Sequence, residues 1–122
     1  MTEHRLGEIA HARSGDKGSG ANVGIIAYTP EGYAVLKTYL TSARVEAFFR
    51  PMGVGVVTRY EWESIGAFNF TLPDILAGGG SRSLRIDAQG KALGQILLEM
   101  PIPIDEATLT QCRRPDPLRS PS

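Results

Sequence analysis

Two segments of alternating residues, separated by a very short polar turn, restrict this chain to folds that contain an antiparallel sheet. The first runs from Val54 to Trp62 and the second from Ile65 to Leu72. Both repeat with the period of two that is typical of a strand with two different faces. Only Glu63 and Ser64 lie between them. Because a connection this short joins only antiparallel neighbours, the two segments are predicted to pair.

The alternation also predicts which side chains reach the core. In the second strand the phenylalanine and leucine side chains share one face, and Asn69 lies on the other. In the first strand, the face that ends at Trp62 is predicted to join the core. The open face of the sheet would then carry Asn69, Arg59, Glu61, Val57, Ile65 and Ala67. Such a mixture suits either solvent or an interface.

Two helices are predicted before these strands. Thr29 and Pro30 begin the first, as an N-cap followed by proline at the first helical position. Thr41 and Ser42 break the pattern and cap the second. Its apolar stripe has helical spacing and consists of Val45, Phe48, Phe49 and Met52. A helix pair is therefore expected.

The remaining segments complete one domain over residues 1–104. Residues 5–12 are predicted to form a strand, and the apolar stretch Val23–Tyr28 a central strand. Asp87 is expected to cap a final helix. The predicted fold class is α+β, a mostly antiparallel four-stranded sheet with helices on one face. Residues 105–122 are rich in proline and arginine and are expected to form a flexible tail.

Composition excludes several classes of protein. Thirteen basic and 13 acidic residues give a formal net charge of zero, so no global field would attract nucleic acid. The single cysteine, Cys112, cannot form an internal disulfide. No apolar run approaches the roughly 18 residues that span a bilayer. The polar start does not resemble a signal peptide, so a cytoplasmic location is expected.

The stretch from His11 to Gly24, HARSGDKGSGANVG, is strongly polar although apolar segments flank it. We interpret it as a loop that is held close to a ligand or a partner chain. The simpler alternative is a tight hairpin turn with a flexible loop, in which Asp16 and Lys17 are solvated and His11 is a packed or capping histidine.

This stretch partly matches known motifs, but its predicted secondary structure differs from the one that each motif requires. Gly18, Gly20 and Gly24 miss the dinucleotide spacing by one residue, and a strand rather than a helix is predicted to follow. Ser14 and Lys17 match the S-x-x-K pattern of serine acylases, but the glycines between and after them argue against the required helix. Two histidines and one cysteine do not suggest a metal site.

A second glycine-rich stretch, from Asp74 to Ser83, predicts a site for an anion or an acyl ligand. The triplet Gly78-Gly79-Gly80 can present successive backbone N–H groups as a concave nest. Arg82 and Arg85 follow with forked donors that suit carboxylate or phosphate. Together with residues 14–22, this stretch is expected to form one polar mouth.

Several strings together resemble the small domain of the acyclic terpene utilisation (AtuA-type) family. They are LGEIAHARSGDKG over residues 6–18, ANVG over 21–24, NF at 69–70, GGGSRSLR over 78–85 and D-x-x-GKALG over 87–94. The resemblance covers roughly residues 5–102 and implies a ferredoxin-like fold. This chain departs from the family pattern at Ser19 and Gly20, where an asparagine and a further polar or acidic residue are expected.

The resemblance also implies a partner and a substrate class. In that family the small domain usually follows a much larger one in a single chain, so a large AtuA-type subunit is expected beside this chain. The family is associated with the breakdown of branched, terpenoid acyl groups through CoA thioesters. The resemblance thus implies a small accessory subunit acting on an acyl-CoA or branched carboxylate, with no cofactor expected.

Within that hypothesis, Asp16 or Lys17 acts as the acid–base or orienting group, and His11 is a further catalytic candidate. The ligand-binding candidates, which would orient a carbonyl or meet an anionic group, are Ser14, Asn22, Asn69, Gly79, Gly80, Arg82 and Arg85. The second hypothesis is a non-catalytic module that binds a ligand or forms a homo-oligomer through the open sheet face. Fold alone does not decide between the two.

Overall fold

A four-stranded antiparallel sheet organises the chain in the computed structural model, which describes residues 3–17, 20–75 and 93–113. In chain order the strands are β1 (Glu3–Arg5), β2 (Ala10–Lys17), β3 (Gly20–Ala27), β4 (Thr58–Trp62), β5 (Ala67–Leu72) and β6 (Pro101–Pro103). The sheet has the spatial order β2-β3-β5-β4, and a separate antiparallel pair joins β1 to β6. Because β3 lies between β2 and β5, the prediction of a central strand over Val23–Tyr28 is confirmed.

Four helices are described, and the first two begin where their capping residues predict. They are α1 (Pro30–Tyr39), α2 (Ser42–Phe49), α3 (Leu93–Leu97) and α4 (Glu106–Cys112). The Thr29 hydroxyl accepts a hydrogen bond from the Gly32 N–H at 3.0 Å, and the Thr41 hydroxyl accepts one from the Arg44 N–H at 3.2 Å. These bonds satisfy N–H groups that the first turn of a helix leaves unpaired. The predicted helix pair is therefore confirmed.

Helices α1 and α3 pack on one face of the sheet, against β3 and β2. The core between sheet and helices includes Val23, Ile25, Tyr33, Leu36, Val45, Phe49, Phe68, Phe70, Leu72, Leu93 and Leu97. Between β1 and β6, the described elements of the sheet and its helices come in the order β2, β3, α1, α2, β4, β5 and α3. This is the β-α-β-β-α-β order of the ferredoxin-like fold with its last strand moved to the beginning. The predicted α+β class is confirmed.

The polar stretch from His11 to Gly24 is not a loop, which corrects the sequence-based interpretation. Strands β2 and β3 form a β-hairpin, in which Arg13 pairs with Gly24 and Lys17 with Gly20. Every second residue of β2, including Ala12 and Ser14, shares a face with the buried side chains of β3. The intervening polar residues lie on the opposite face. Their polarity therefore marks a sheet face that no described helix covers, and not an irregular segment.

The strand predicted over residues 5–12 is also interrupted. A 3-10 turn, Leu6–Glu8, separates β1 from β2. The Glu8 carboxylate accepts a hydrogen bond from the Arg5 N–H at 2.8 Å and so holds the turn. Leu6 is fully buried in this turn. The chain thus changes direction here, and β1 pairs with β6 instead of extending β2.

Strand β4 presents the opposite face to that predicted. It begins at Thr58 rather than Val54, and its register places Tyr60 opposite Asn69 and Trp62 opposite Ala67 on the open face. Arg59 and Glu61 therefore lie on the helix side, contrary to the expectation that they share the open face with Asn69.

The connection between β4 and β5, which ends at Gly66 with φ 65°, sets this register. On the helix side, the Arg59 guanidinium donates to the carbonyl oxygens of Lys37 and Leu40 at the end of α1, at 3.2 and 3.0 Å. It also bonds the Glu61 carboxylate at 3.3 Å. Because these partners satisfy the charges, both polar side chains are tolerated beside the core.

The predicted tail over residues 105–122 is wrong in its first part. Asp105 caps α4 by accepting a hydrogen bond from the Thr108 N–H at 2.8 Å, and the hydrogen bonds from Thr108 lower the pKa of the Asp105 carboxyl. Leu109 and Cys112 are fully buried. The apolar side chains at these two positions dock the helix although proline and arginine follow. Residues 114–122 lie outside the described residues, as does the predicted cap Asp87.

Candidate functional site

The sheet face opposite the helices carries a groove of about 730 Å³. Residues that pair directly across antiparallel strands share a face, so the register defines three rows across the sheet. The rows are His11-Ile26-Ala67-Trp62, Arg13-Gly24-Asn69-Tyr60 and Gly15-Asn22-Thr71-Thr58. The first two rows, with Gly15 and Asn22 of the third, line the cavity together with Ser14, Glu61, Ile65 and Phe68. We call it the open-face groove.

The groove has two walls and a low floor. The outer strands carry the large side chains, with Arg13 on β2 and Tyr60 and Trp62 on β4. The inner strands contribute small residues to the floor, above all Gly24 and Ala67. Small side chains between large ones make this face of the sheet concave.

Because Gly24 has no side chain, its backbone itself forms the centre of the groove floor. A β-carbon placed there would meet its nearest neighbours at 4.0 Å, so crowding within the described residues does not demand glycine. Glycine inside a strand weakens it and often marks a place where another group approaches the backbone. The position is therefore suited to close contact with a ligand.

The aromatic wall is strongly exposed. Trp62 is 61% and Tyr60 55% accessible, and Ile65 beside them is 52% accessible. Large apolar side chains at this exposure bury additional surface when a ligand or partner covers them. The wall is thus available for stacking or for an interface.

The opposite wall, on β2, carries the cationic side chain of Arg13. Within the described part of the chain, no carboxylate or hydrogen-bond partner engages the Arg13 guanidinium. By contrast, Arg5 binds Glu99, and Arg59 binds Glu61 and the end of α1. The three rows of the open face contain no aspartate or glutamate. Glu61 also lines the cavity, but its carboxylate is paired with Lys37 and Arg59. Among the described groove residues, Arg13 is thus the cation available to an anion.

The imidazole of His11 lies at the end of the same wall. Its ring stacks on Tyr28, with the centroids 5.5 Å apart and the planes 27° apart. The contact orients the ring while His11 remains exposed and lines the groove. His11 can therefore offer a ring nitrogen to a ligand, as either donor or acceptor.

A rigid layer supports the floor from below. Phe68, on the helix side of β5, stacks on Tyr33 of α1 with ring centroids 4.7 Å apart, and the Arg59 guanidinium lies 5.0 Å from the Phe68 centroid. Burial, and then the charges of Glu61 and Glu63, raise the pKa of the Tyr33 phenol. Tyr33 is therefore a neutral packing residue at physiological pH.

Two of the predicted ligand-binding residues meet on the open face. Asn69 lies in the central row and Asn22 in the next one, and both line the groove. Among the described residues, no hydrogen-bond partner occupies either side-chain amide. The two amides and the candidate His11 thus share one cavity.

Ser14, another predicted ligand residue, is exposed and is among the lining residues of the groove, but its hydroxyl also bonds a helix on the other face of the sheet. Its hydroxyl accepts a hydrogen bond from the Gly94 N–H at 2.6 Å, which ties β2 to α3. Asp16 and Lys17 belong to the hairpin end, where their backbones pair with Ala21 and Gly20. The structure does not describe the Asp16 and Lys17 side chains.

The second half of the predicted polar mouth lies outside the described residues. This applies to the Gly78–Gly80 triplet with its candidates Gly79 and Gly80, and to Arg82 and Arg85. The proposed meeting of the two halves stays a prediction.

Sequence reasoning missed Arg13, Tyr60 and Trp62 as residues of the site. Arg13 was hidden because the whole stretch around it was interpreted as a loop, although its alternation with Ala12 and Ser14 is a strand signal. The two aromatic residues were assigned to the core because large apolar side chains are usually buried. Arg59 and Glu61, on the opposite face of β4, look solvent-exposed in the sequence. Their position beside the core was not predicted, because the groups of α1 that bind them are distant in the sequence.

The arrangement is suited to binding more clearly than to chemistry. The described groove residues supply a guanidinium, an imidazole, two amides, two exposed aromatic rings, the Ser14 hydroxyl and the Glu61 carboxylate. Among them we find no nucleophile hydrogen-bonded to a base, which nucleophilic catalysis requires. The described residues also contain no group of three or more His, Cys, Asp or Glu side chains that could hold a metal ion. Nor do they include a helix long and apolar enough to cross a membrane.

Comparison with known proteins identifies the family. The family model of the AtuA ferredoxin-like domain matches residues 4–103 of the 122-residue chain. No curated protein and no solved structure matches. Because the match covers most of the chain and includes every strand of the sheet, this protein belongs to the AtuA ferredoxin-like domain family.

Proposed function

We propose that this domain is the accessory, substrate-binding part of an AtuA-type enzyme that acts on an acyl-CoA or a branched carboxylate. It holds the anionic substrate in the open-face groove, and a larger AtuA-type partner, on the same polypeptide or a separate one, completes the site. The observation that carries the proposal is the guanidinium of Arg13, with which no described residue pairs. It faces an exposed aromatic wall across a floor with two amides that are likewise unbonded among the described residues.

The chemistry of each side chain in the groove supports a different role for it. Amides such as Asn22 and Asn69 can donate to a carbonyl oxygen on which negative charge develops. A guanidinium can hold a carboxylate or phosphate with two parallel bonds. Acid–base chemistry needs a further group, which Asp16, Lys17 or His11 would provide together with the partner. Under this proposal Ser14 holds α3 and does not touch substrate.

Co-expression tests this proposal directly. The full chain is produced with a large AtuA-type protein, and complex formation and acyl-CoA turnover are measured. Arg13→Ala removes the proposed anchor. A charge-assisted hydrogen bond contributes about 1.5–3 kcal/mol, so kcat/KM should fall about 10- to 150-fold.

The control variant is Arg50→Ala, which removes the same charge at an exposed site away from the groove. Among the described residues its guanidinium has no partner either. It should leave turnover unchanged. Absence of a complex, or equal activity of the two variants, would overturn the proposal.

Self-association is the second candidate function, and the position of the exposed apolar residues favours it. Every large apolar side chain that is strongly exposed among the described residues lies in one short segment: Val56, Tyr60, Trp62 and Ile65. Such a cluster at an edge strand can pair with a second copy. If it does, sedimentation should show a dimer that Trp62→Ser dissociates and Arg50→Ala preserves. A monomer at all concentrations refutes this candidate.

A further inference from the structure

We infer that the open-face groove recognises the purine nucleotide part of a ligand, with the base against β4 and a phosphate at β2. The inference deepens the proposed function and assumes only that the groove is a ligand site. Its basis is one row of the register that holds Tyr60 of the aromatic wall, the amide of Asn69 and, beyond Gly24, the cation of Arg13, with no partner for either polar group among the described residues.

The width of the groove requires an extended ligand. Strands β2 and β4 are the two edges of the sheet, separated by three strand spacings of about 4.8 Å, or about 14 Å. A short carboxylic acid is too small to reach both walls. A nucleotide has a flat base at one end and phosphate at the other, and so can engage both.

The β4 wall suits a nucleobase. Tyr60 and Trp62 are two residues apart and point to the same face, about 7 Å from one another along the strand. Both rings are more than half exposed, and the neighbour of Trp62 on the floor is the small Ala67. Stacking of a base on an aromatic side chain contributes about 1–3 kcal/mol by alanine substitution, which is roughly a 5- to 150-fold change in affinity.

Asn69 lies directly beside this wall. It pairs with Tyr60 in the register, and its Oδ1 atom lies 4.0 Å from the β-carbon position of Gly24, so the amide stands over open backbone. An asparagine amide can both donate to and accept from the edge of adenine. Because no described group occupies the Asn69 amide, a base that stacks on Tyr60 can bind it.

The phosphate end is matched by charge. Arg13 continues the same row beyond Gly24 and has no counter-ion among the described residues. A bidentate guanidinium–phosphate pair is among the stronger charged hydrogen bonds in proteins. The three rows hold one arginine and no acidic residue, and the carboxylate of Glu61, which also lines the cavity, is paired with Arg59 and Lys37. A single cation fits a mononucleotide better than a nucleic-acid strand, which needs a track of cations.

Trp62 is the only tryptophan of the chain, so tryptophan fluorescence reports directly on ligand binding in the groove. The full chain is titrated with ADP, CoA, adenosine, pantetheine and isovalerate while tryptophan fluorescence is recorded. We expect ADP and CoA to quench Trp62 saturably, adenosine more weakly, and pantetheine and isovalerate not at all. A free nucleotide is the ligand if ADP and CoA bind equally, and a CoA ester if CoA binds at least tenfold more tightly.

Variants locate the binding. Tyr60→Ala and Arg13→Ala should each raise the Kd for ADP at least fivefold, whereas Arg50→Ala should not change it. Trp62→Ala, which lacks the reporter, is measured by calorimetry and should also weaken binding. Circular dichroism confirms that each variant is folded.

The outcomes separate this inference from the proposed function. Absence of quenching by both ADP and CoA refutes the inference, as does equal binding of CoA and pantetheine. In either case a loss of acyl-CoA turnover in the Arg13→Ala complex would still support the proposed function. Conversely, nucleotide binding without any complex with an AtuA-type partner would retain the inference and refute the proposed accessory role.

Discussion

Replacing Gly94 with alanine tests the packing of α3 on the sheet. Gly94 is buried where α3 crosses β2. A β-carbon at this position would lie 2.7 Å from the Ala12 β-carbon and 2.9 Å from the Ser14 hydroxyl oxygen. Carbon atoms in favourable contact stand about 3.5–4.0 Å apart, so α3 must move away from the strand by about 1 Å. The same movement stretches the 2.6 Å bond from Gly94 to Ser14.

Two opposing effects determine the expected magnitude. Overpacking in a well-packed core costs about 1–3 kcal/mol, and a weakened hydrogen bond costs about 1 kcal/mol. Alanine is the better helix former by about 1 kcal/mol, which offsets part of this cost. We therefore expect Gly94→Ala to lower the free energy of unfolding by about 1–3 kcal/mol. If the close contact were absent, the same substitution would raise it.

Urea denaturation of the full chain, followed by far-UV circular dichroism, measures the change. The matched control is Gly15→Ala in β2, where a β-carbon has no neighbour within 4 Å. The control should be neutral or slightly stabilising, because alanine restricts the unfolded chain more than glycine does. If Gly94→Ala proves as stable as the parent or more stable, the described packing of α3 against β2 is incorrect.

Three further substitutions test the remaining contacts. Thr29→Ala removes the cap of α1 and should cost about 1 kcal/mol in urea denaturation, whereas Thr29→Ser should retain most of the stability. Arg59→Ala leaves carbonyls at the end of α1 unpaired and should cost about 2 kcal/mol by the same assay; an effect as small as that of Arg50→Ala would contradict the assignment. Hydrogen bonds from Thr108 lower the pKa of the Asp105 carboxyl in the folded state. The charged carboxylate therefore stabilises the fold at any pH above the unfolded-state pKa of about 3.9. This stabilisation is lost as the pH falls through the lower pKa of the folded state. The difference in melting temperature between the parent and Asp105→Asn should therefore be largest near pH 6 and shrink below about pH 4; a constant difference would refute this account.

Local signals in the sequence were sufficient for helices α1 and α2. The caps at Thr29 and Thr41 depend on bonds that span three residues, and the stripe that includes Val45 and Phe49 depends on helical spacing. Such signals need no knowledge of distant parts of the chain. For the same reason the alternation in β5 correctly separated the buried Phe68 and its apolar neighbours from Asn69.

Two errors arose where distant partners decide the outcome. Arg59 and Glu61 look like surface residues, but the end of α1 supplies carbonyls that accept the guanidinium. Likewise, Leu109 and Cys112 look isolated in a polar tail, but they are buried and dock α4. No window of the sequence contains both sides of these contacts.

The sequence predicted some residues of the candidate site and missed others. Asn22, Asn69 and His11 were selected because polar residues in an apolar setting suggest a ligand, and they do share the open-face groove. The aromatic wall was not found, because a shift of one residue in strand register moves Tyr60 and Trp62 to the other face. Only the pairing of Tyr60 with Asn69 shows that ring and amide are neighbours.

The sequence by itself determined helices α1 and α2, the strand pair around Glu63 and Ser64, the α+β class and the family, since periodicity, capping and short motifs are properties of neighbouring residues. The tertiary structure decided which face of each strand is open, and so changed a supposed loop from His11 to Gly24 into one wall and part of the floor of a groove. It also assigned Ser14 to packing against Gly94. The physical reason is that hydrogen-bond register and burial depend on residues that are far apart in the chain and meet only after folding.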